Sequence, residues 1–256
     1  MCIAQAVSVC SSRVADVDPP LPRYLQLLWD RETAGRRGPK PGRTIQELGA
    51  AGVVVADRDG LDGVSMKSVA AELGMTPMSL YRYVDSKEQL LEVMLDAAYG
   101  PADLSIVSSG PWRERLTRWA WALADALVQH PWISATPMTT PPLSPNIIGW
   151  TEAGARSFEG MALTNQQKMS SLLVVDGYVR SHVAMSVAMG FTATDAPPPD
   201  PYVTILPQLL DPDRFPALFA ASPAITDQNE GEDFFRDEMS FGLDLILDGI
   251  ESLTQR

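Results

Sequence analysis

Residues Ser65 to Lys87, SMKSVAAELGMTPMSLYRYVDSK, place hydroxyls, a guanidinium, two ammonium groups and phenols on a short helix, a tight turn and a second short helix. Ser65 is suited to cap the first helix, Met66, Val69, Ala70 and Leu73 mark its inner face, and Gly74 is its stop. Thr76-Pro77 restarts a helix at once, because proline at the first helical position loses no hydrogen bond. A second helix braced this way can enter a DNA major groove. There Arg82 can pair with guanine or a phosphate, Ser79 and Thr76 with either, and Met78 can meet a thymine methyl. Tyr81 and Tyr83 offer hydroxyls to phosphate oxygens, and Lys67 and Lys87 flank the groove. Leu80 and Val84 are expected to face inward, and Met78, Ser79, Arg82 and Tyr83 outward.

The elements around this motif read as helices throughout. Thr44 and Glu47 form a capping box, after which Ile45, Leu48, Gly49, Gly52, Val53 and Ala56 fall three and four apart, with Gly60 as the stop. After the motif, Ser86 and Gln89 form another capping box for a helix through Leu90, Leu91, Met94, Leu95 and Ala98. Helices are expected over Pro111–Gln129, Ser144–Met161, Thr164–Met189, Asp200–Phe219 and Glu232–Thr254, joined by proline-rich loops. The fold class is therefore all-α. Residues 1–33 form an extension whose Leu25, Leu27, Leu28 and Trp29 suggest one brief helix, 34–98 the small head, and 99–256 a larger body.

Composition narrows the partners. The chain of 256 residues has a formal net charge of −12, which by itself disfavours nucleic acid. Between Arg36 and Lys87, however, eight basic residues face six acidic ones, and removing that +2 leaves −14 for the remainder. A head compatible with DNA on an acidic body fits this split. Arg36, Arg37 and Lys40 lie in AGRRGPKPGR, which reads either as an arm reaching a groove or as a solvated linker. Cys2 and Cys10 are too close to the start to staple a core, no targeting segment is recognisable, and no apolar run is long enough to span a bilayer. A cytoplasmic protein without cofactor, metal or membrane partner is expected.

From Thr44 to Ala98, and above all in GVSMKSVAAELGMTPMSLYRYVDSKEQLL, the chain resembles the DNA-binding domain of the TetR family of bacterial regulators. The resemblance covers about a fifth of the chain. It implies that Pro77–Tyr83 is the recognition helix, and that Ser65, Lys67, Thr76, Met78, Ser79, Tyr81, Arg82, Tyr83 and Lys87 match DNA-contacting positions. It also implies pairing through a four-helix bundle, two helices from each subunit, and a small-molecule pocket in the body.

The body carries residues for both roles. Phe235, Met239, Gly242, Ile246, Gly249 and Leu253 make a heptad-like seam, with Leu172, Val175, Val179 and Val183 as its partner stripe. Packing within one chain would use these residues, but pairing across a two-fold axis is the favoured expectation, since a dimer presents two heads to the half-sites of a palindromic operator. Trp119, Trp132, Trp150, Phe158 and Met169 are candidate pocket residues, although aromatics at helical spacing are more often plain core. Asp176 and His182, ionisable residues in an apolar segment, either find an internal partner or face a cavity.

The expected function is a dimeric repressor released from its DNA operator by an unidentified small molecule. A ligand-independent regulator or an activator is the alternative. A helical carrier or hydrolase with an incidental head is disfavoured, because the chain has two histidines, no GxSxG, Walker A or HExxH motif, and no metal-ligand cluster.

Overall fold

The structure, a computed structural model, describes residues 21–31, 42–136, 141–192, 205–206, 208–220 and 234–255. All regular elements among the described residues are helical. In chain order they are α1 (Arg23–Leu28), α2 (Ile45–Gly63), α3 (Met66–Glu72), α4 (Pro77–Leu80), α5 (Lys87–Tyr99), a 3-10 turn (Leu104–Val107), α6 (Trp112–Gln129), α7 (Trp132–Ala135), α8 (Pro145–Arg156), α9 (Asn165–Met189), α10 (Phe234–Ser252) and a closing 3-10 turn (Leu253–Gln255).

Local chemistry explains where the head helices begin and end. The Thr44 hydroxyl accepts from the backbone N–H of Glu47, whose carboxylate accepts from that of Thr44, so two donors at the start of α2 are satisfied reciprocally. Gly60, the expected stop, instead kinks the helix at φ +70, and the chain remains helical to Gly63. Ser65 caps α3 through the N–H of Ser68. Ser86 caps α5 as expected, but Gln89 returns its side chain to the N–H of Asp85 rather than Ser86. α2 packs closely along α5, with Gly49 against Val93 and Ala97, and Gly52 against Met94.

The brief helix expected before the head exists as α1. Its Tyr24, Leu25 and Leu28 are buried, it lies on α2 and α5, and Tyr24 bonds Glu92.

In the body, α6 packs on α9, and Leu116, Trp119, Leu123 and Leu127 of α6, together with Phe158, are buried in the apolar layer. α8 ends at Arg156, short of the expected Met161, through turns that finish on Gly160 at φ +84. Between Gln129 and α8 the structure adds α7, which periodicity over four residues could not reveal. The helix expected over Asp200–Phe219 lies partly outside the described residues; within them the chain is helical at 205–206, 208–209 and 216–220.

Candidate nucleic-acid interface

The reading motif is assembled as α3, a turn and α4. Gly74 takes φ +66, a conformation that costs a residue with a Cβ, and lets the N–H of Met75 reach the Ala70 carbonyl at 2.8 Å. Pro77 occupies the first turn of α4, and the Thr76 and Ser79 hydroxyls lie 3.0 Å apart. Leu80 and Val84 are buried against the head core, as their spacing implies.

The side chains offered to a groove follow. Met78 is 75% exposed and Tyr81 48%, values that no packing within the chain requires. Thr76, Arg82, Lys67, Lys87 and Ser65 are exposed and Ser79 half-buried. Among the described residues Arg82, Lys67 and Lys87 make no ion pair, although Lys87 helps to lower the pKa of the neighbouring Glu88, whereas Arg43 pairs with Glu47, and Arg58 with Asp59 and Glu72. Among the described residues of the head, the positive charge outside ion pairs thus lies on α3, just after α4 and at the start of α5. The Ser65 hydroxyl is already engaged in its cap. Arg36, Arg37 and Lys40 lie outside the described residues.

Tyr83 departs from its expected outward position. It is 4% exposed, and its hydroxyl donates to the Arg43 carbonyl at 2.8 Å. α4 closes after Leu80, and the turn that follows rotates Tyr83 into the head, where it ties the start of α2 to the end of the motif. Tyr83→Phe should therefore cost about 1 kcal/mol of stability. It should change DNA affinity less than Tyr81→Phe does; the reverse order in a binding titration would return Tyr83 to the interface.

The sequence-predicted pocket residues divide into several environments. The Trp119 indole donates to the Trp150 carbonyl at 2.9 Å, and the Trp150 indole to the carbonyls of Tyr99 and Gly100, each at 3.2 Å. Phe158 is fully buried, while Met169 and Trp150 are half-buried against the core. Trp132 lies elsewhere, with its indole donating to Asp57 of α2 at 2.7 Å. Asp176 and His182 both have internal partners and are not paired with each other. Asp176 accepts from Arg180 Nε at 2.7 Å, and His182 Nε2 lies 2.9 Å from the Phe235 carbonyl, its ring stacked on Phe235 and Tyr178. Burial opposes the charge of Arg180, but Asp176 and Tyr99 beside it outweigh that and raise its pKa above the ordinary value. Arg180 and Tyr99 were missed from sequence; the four-residue spacing from Asp176 to Arg180 on one helix was the available signal.

The expected pairing seam is filled within the chain. Leu172, Val175, Val179, Val183 and Met239 are buried in the body's own core, Gly242 sits under the Tyr178 ring, and Ile246 and Leu253 are half-buried. α9 and α10 of one chain thus serve as each other's partners, because the complementary stripe is already covalently attached and close by. Gly249 alone of that set has open space around it. The large apolar side chains left exposed on the two helices are Leu173, Val174, Met185 and Met189 on α9, and Phe241 and Leu245 on α10.

A helix-turn-helix whose exposed face carries unmatched cations, mounted on a larger all-helical body, defines a DNA-binding regulator by class. Residues 49–94 match the model described as bacterial regulatory proteins, tetR family, and residues 107–254 match that described as tetracyclin repressor-like, C-terminal domain. The chain belongs to the TetR family of transcriptional regulators. It is 37% identical over 240 residues to the HTH-type transcriptional repressor DrrR1 of Streptomyces coeruleorubidus, covering 90% of this chain and 86% of that one. An HTH-type transcriptional regulator of Saccharopolyspora erythraea is 29% identical, over 57% of this chain and 61% of its own. Among solved structures, apo ActR of Streptomyces coelicolor superposes with a TM-score of 0.69 at 20% identity, over 83% and 97% of the two chains. ActR in complex with actinorhodin gives 0.69 at 19% identity, over 84% and 99%. BioQ with its double-stranded DNA operator gives 0.51 at 19%, over 82% and 99%. No helix among the described residues is long and apolar enough to cross a membrane.

Proposed function

We propose that the chain is a repressor that binds a two-half-site operator as a homodimer and releases it when a small molecule occupies the body. The observation that carries the DNA part is that Arg82, Lys67 and Lys87 are exposed and outside any ion pair, on the same motif as the exposed Met78 and Tyr81. In this reading Arg82 and Ser79 read base edges with Thr76 and Met78, while Lys67, Tyr81 and Lys87 hold phosphates and Ser65 fixes the start of α3. Arg36, Arg37 and Lys40 are assigned to flanking DNA. Kinship to a chain named a repressor supports the direction of control.

The homodimer uses the uncovered face of α9 and α10, with Gly249 at its edge, rather than the seam buried behind it. The ligand is assigned to the body at the half-buried Trp150 and Met169, with Trp119, which donates to the Trp150 carbonyl, and the buried Phe158 as further lining. A small-molecule complex in the same fold, ActR with actinorhodin, supports a small-molecule ligand for this chain. A cytoplasmic site of action follows from a DNA partner. The Asp176 and His182 pair that a hydrolase would use is committed to other contacts, so the regulator is the reading supported.

Selection of genomic fragments by the purified chain tests the proposal. A defined two-half-site sequence is expected, bound by Arg82→Ala about ten- to a hundredfold more weakly. Lys67→Ala should lower the salt slope of binding by about one. Recovery of no preferred sequence, or an Arg82→Ala affinity equal to wild type at fixed salt, would remove the assignment.

A further inference from the structure

Between head and body the chain runs through one point, Gly100, at φ +58 directly after α5. A single covalent point leaves a rigid head free to swing. Two carboxylates of the head take up that freedom, and neither belongs to the DNA face or to the assigned ligand site.

Asp57, on α2, reaches the junction of α6 and α7. One of its oxygens accepts from the Trp132 indole at 2.7 Å and lies 2.9 Å from His130 Nδ1. Asp96, on α5, is buried and reaches the start of α8, where it accepts from the N–H of Asn146 at 2.8 Å and from its side-chain amide at 3.1 Å. The Ser144 hydroxyl and the N–H of Ile147 also point to it. Asp96 therefore supplies the anion at the N-terminus of a body helix from across the domain boundary. Burial raises its pKa above the ordinary carboxylate value, with the bonds from Asn146, Ser144 and Ile147 opposing that rise.

The same body segment receives a third tie. The Trp29 indole, just after α1, donates to the Leu143 carbonyl at 2.9 Å, while Tyr24 within α1 bonds Glu92 of α5. Asp57 and Asp96 contact separate body segments, 130–132 and 144–147, and with Gly100 they give the head three points of attachment. Three points off one line fix the orientation of a rigid body. Hydrogen bonds hold that angle more sharply than apolar contact does, because they weaken steeply off their preferred direction.

We propose that Asp57, with His130 and Trp132, and Asp96, with Ser144 and Asn146, are positioning residues that set the tilt of the reading head, and through it the half-site spacing the protein accepts. This rests on the DNA-binding reading above for the spacing consequence alone. A dimer reads two half-sites at a distance fixed by its geometry, so a head free to swing accepts spacings that a mounted head rejects.

Two measurements test the proposal. In the full chain with Cys2 and Cys10 replaced by serine, spin labels at Gln46→Cys on the head and Asn165→Cys on the body report the head–body distance, with labelled chain diluted in unlabelled. Wild type is expected to give one narrow distance, and Asp57→Ala and the Asp57→Ala, Asn146→Ala pair a broader one. Trp132→Phe keeps an aromatic side chain, smaller than the indole, and removes the N–H that Asp57 accepts, so it carries the test if Asp57→Ala does not fold. The second measurement compares the selected operator with versions bearing one inserted or deleted central base pair. Wild type should lose about tenfold or more in affinity on the altered spacing, and the folded variants markedly less. Unchanged distance widths together with unchanged spacing discrimination overturn the proposal. A wild type that selects no DNA would remove the proposed function instead, and the label distances would still decide the mounting.

Discussion

Gly49→Val is expected to abolish DNA binding by unfolding the reading head while the body stays helical. A Cβ at Gly49 would lie 2.8 Å from both the Ala97 Cβ and the Val93 carbonyl oxygen. The second contact is backbone inside α5, which cannot rotate away as a side-chain tip could. Overpacking a closed core costs about 1–3 kcal/mol, and valine adds two methyls beyond the offending Cβ. A head of this size buries little surface per residue, so a loss near 3 kcal/mol removes much of its stability. Thermal unfolding followed by circular dichroism should show an early loss of helix that wild type lacks. Full operator affinity in the variant would mean that α2 and α5 can separate without consequence.

The contrast between what the sequence made visible and what it hid follows the range of the interactions. The caps at Thr44, Ser65 and Ser86, the turn at Gly74 and the restart at Pro77 all depend on residues within four positions of one another, so the reading motif could be placed before any coordinates. Tyr83 was misplaced because helical spacing was extended past Leu80, where the backbone turns and carries the ring inward. Asp57 and Asp96 gave no local signal at all. Their partners lie 73 and 50 positions away, and an acidic residue on a helix is ordinarily a solvated one. The same limit explains the body. The Leu172, Val175, Val179, Val183 stripe of α9 is real and buried, and the heptad stripe of α10 is real with Met239 buried and Phe235, Ile246 and Leu253 half-buried, but periodicity states only that a helix lies opposite, not whose helix it is.

The proposed pairing surface therefore lies on the exposed side of these helices, and its place can be tested sharply. Leu245, 59% exposed, and Phe241, 64% exposed, stand on the uncovered side of α10, so a charge at Leu245 is harmless to an isolated chain. Across a two-fold axis each substitution enters the interface twice, and burying unpaired carboxylates costs several kcal/mol per group. Leu245→Glu combined with Gly249→Glu is therefore expected to weaken self-association by about a thousandfold or more, with little change in the circular dichroism of the chain. Operator binding should fall with it, since a lone head holds a single half-site. Val175→Asp should behave differently: it places a charge in the chain's own core, so folding is lost before pairing can be measured. Sedimentation at micromolar concentration separates the two cases, and a double variant that still sediments as a dimer would move the two-fold axis off this face.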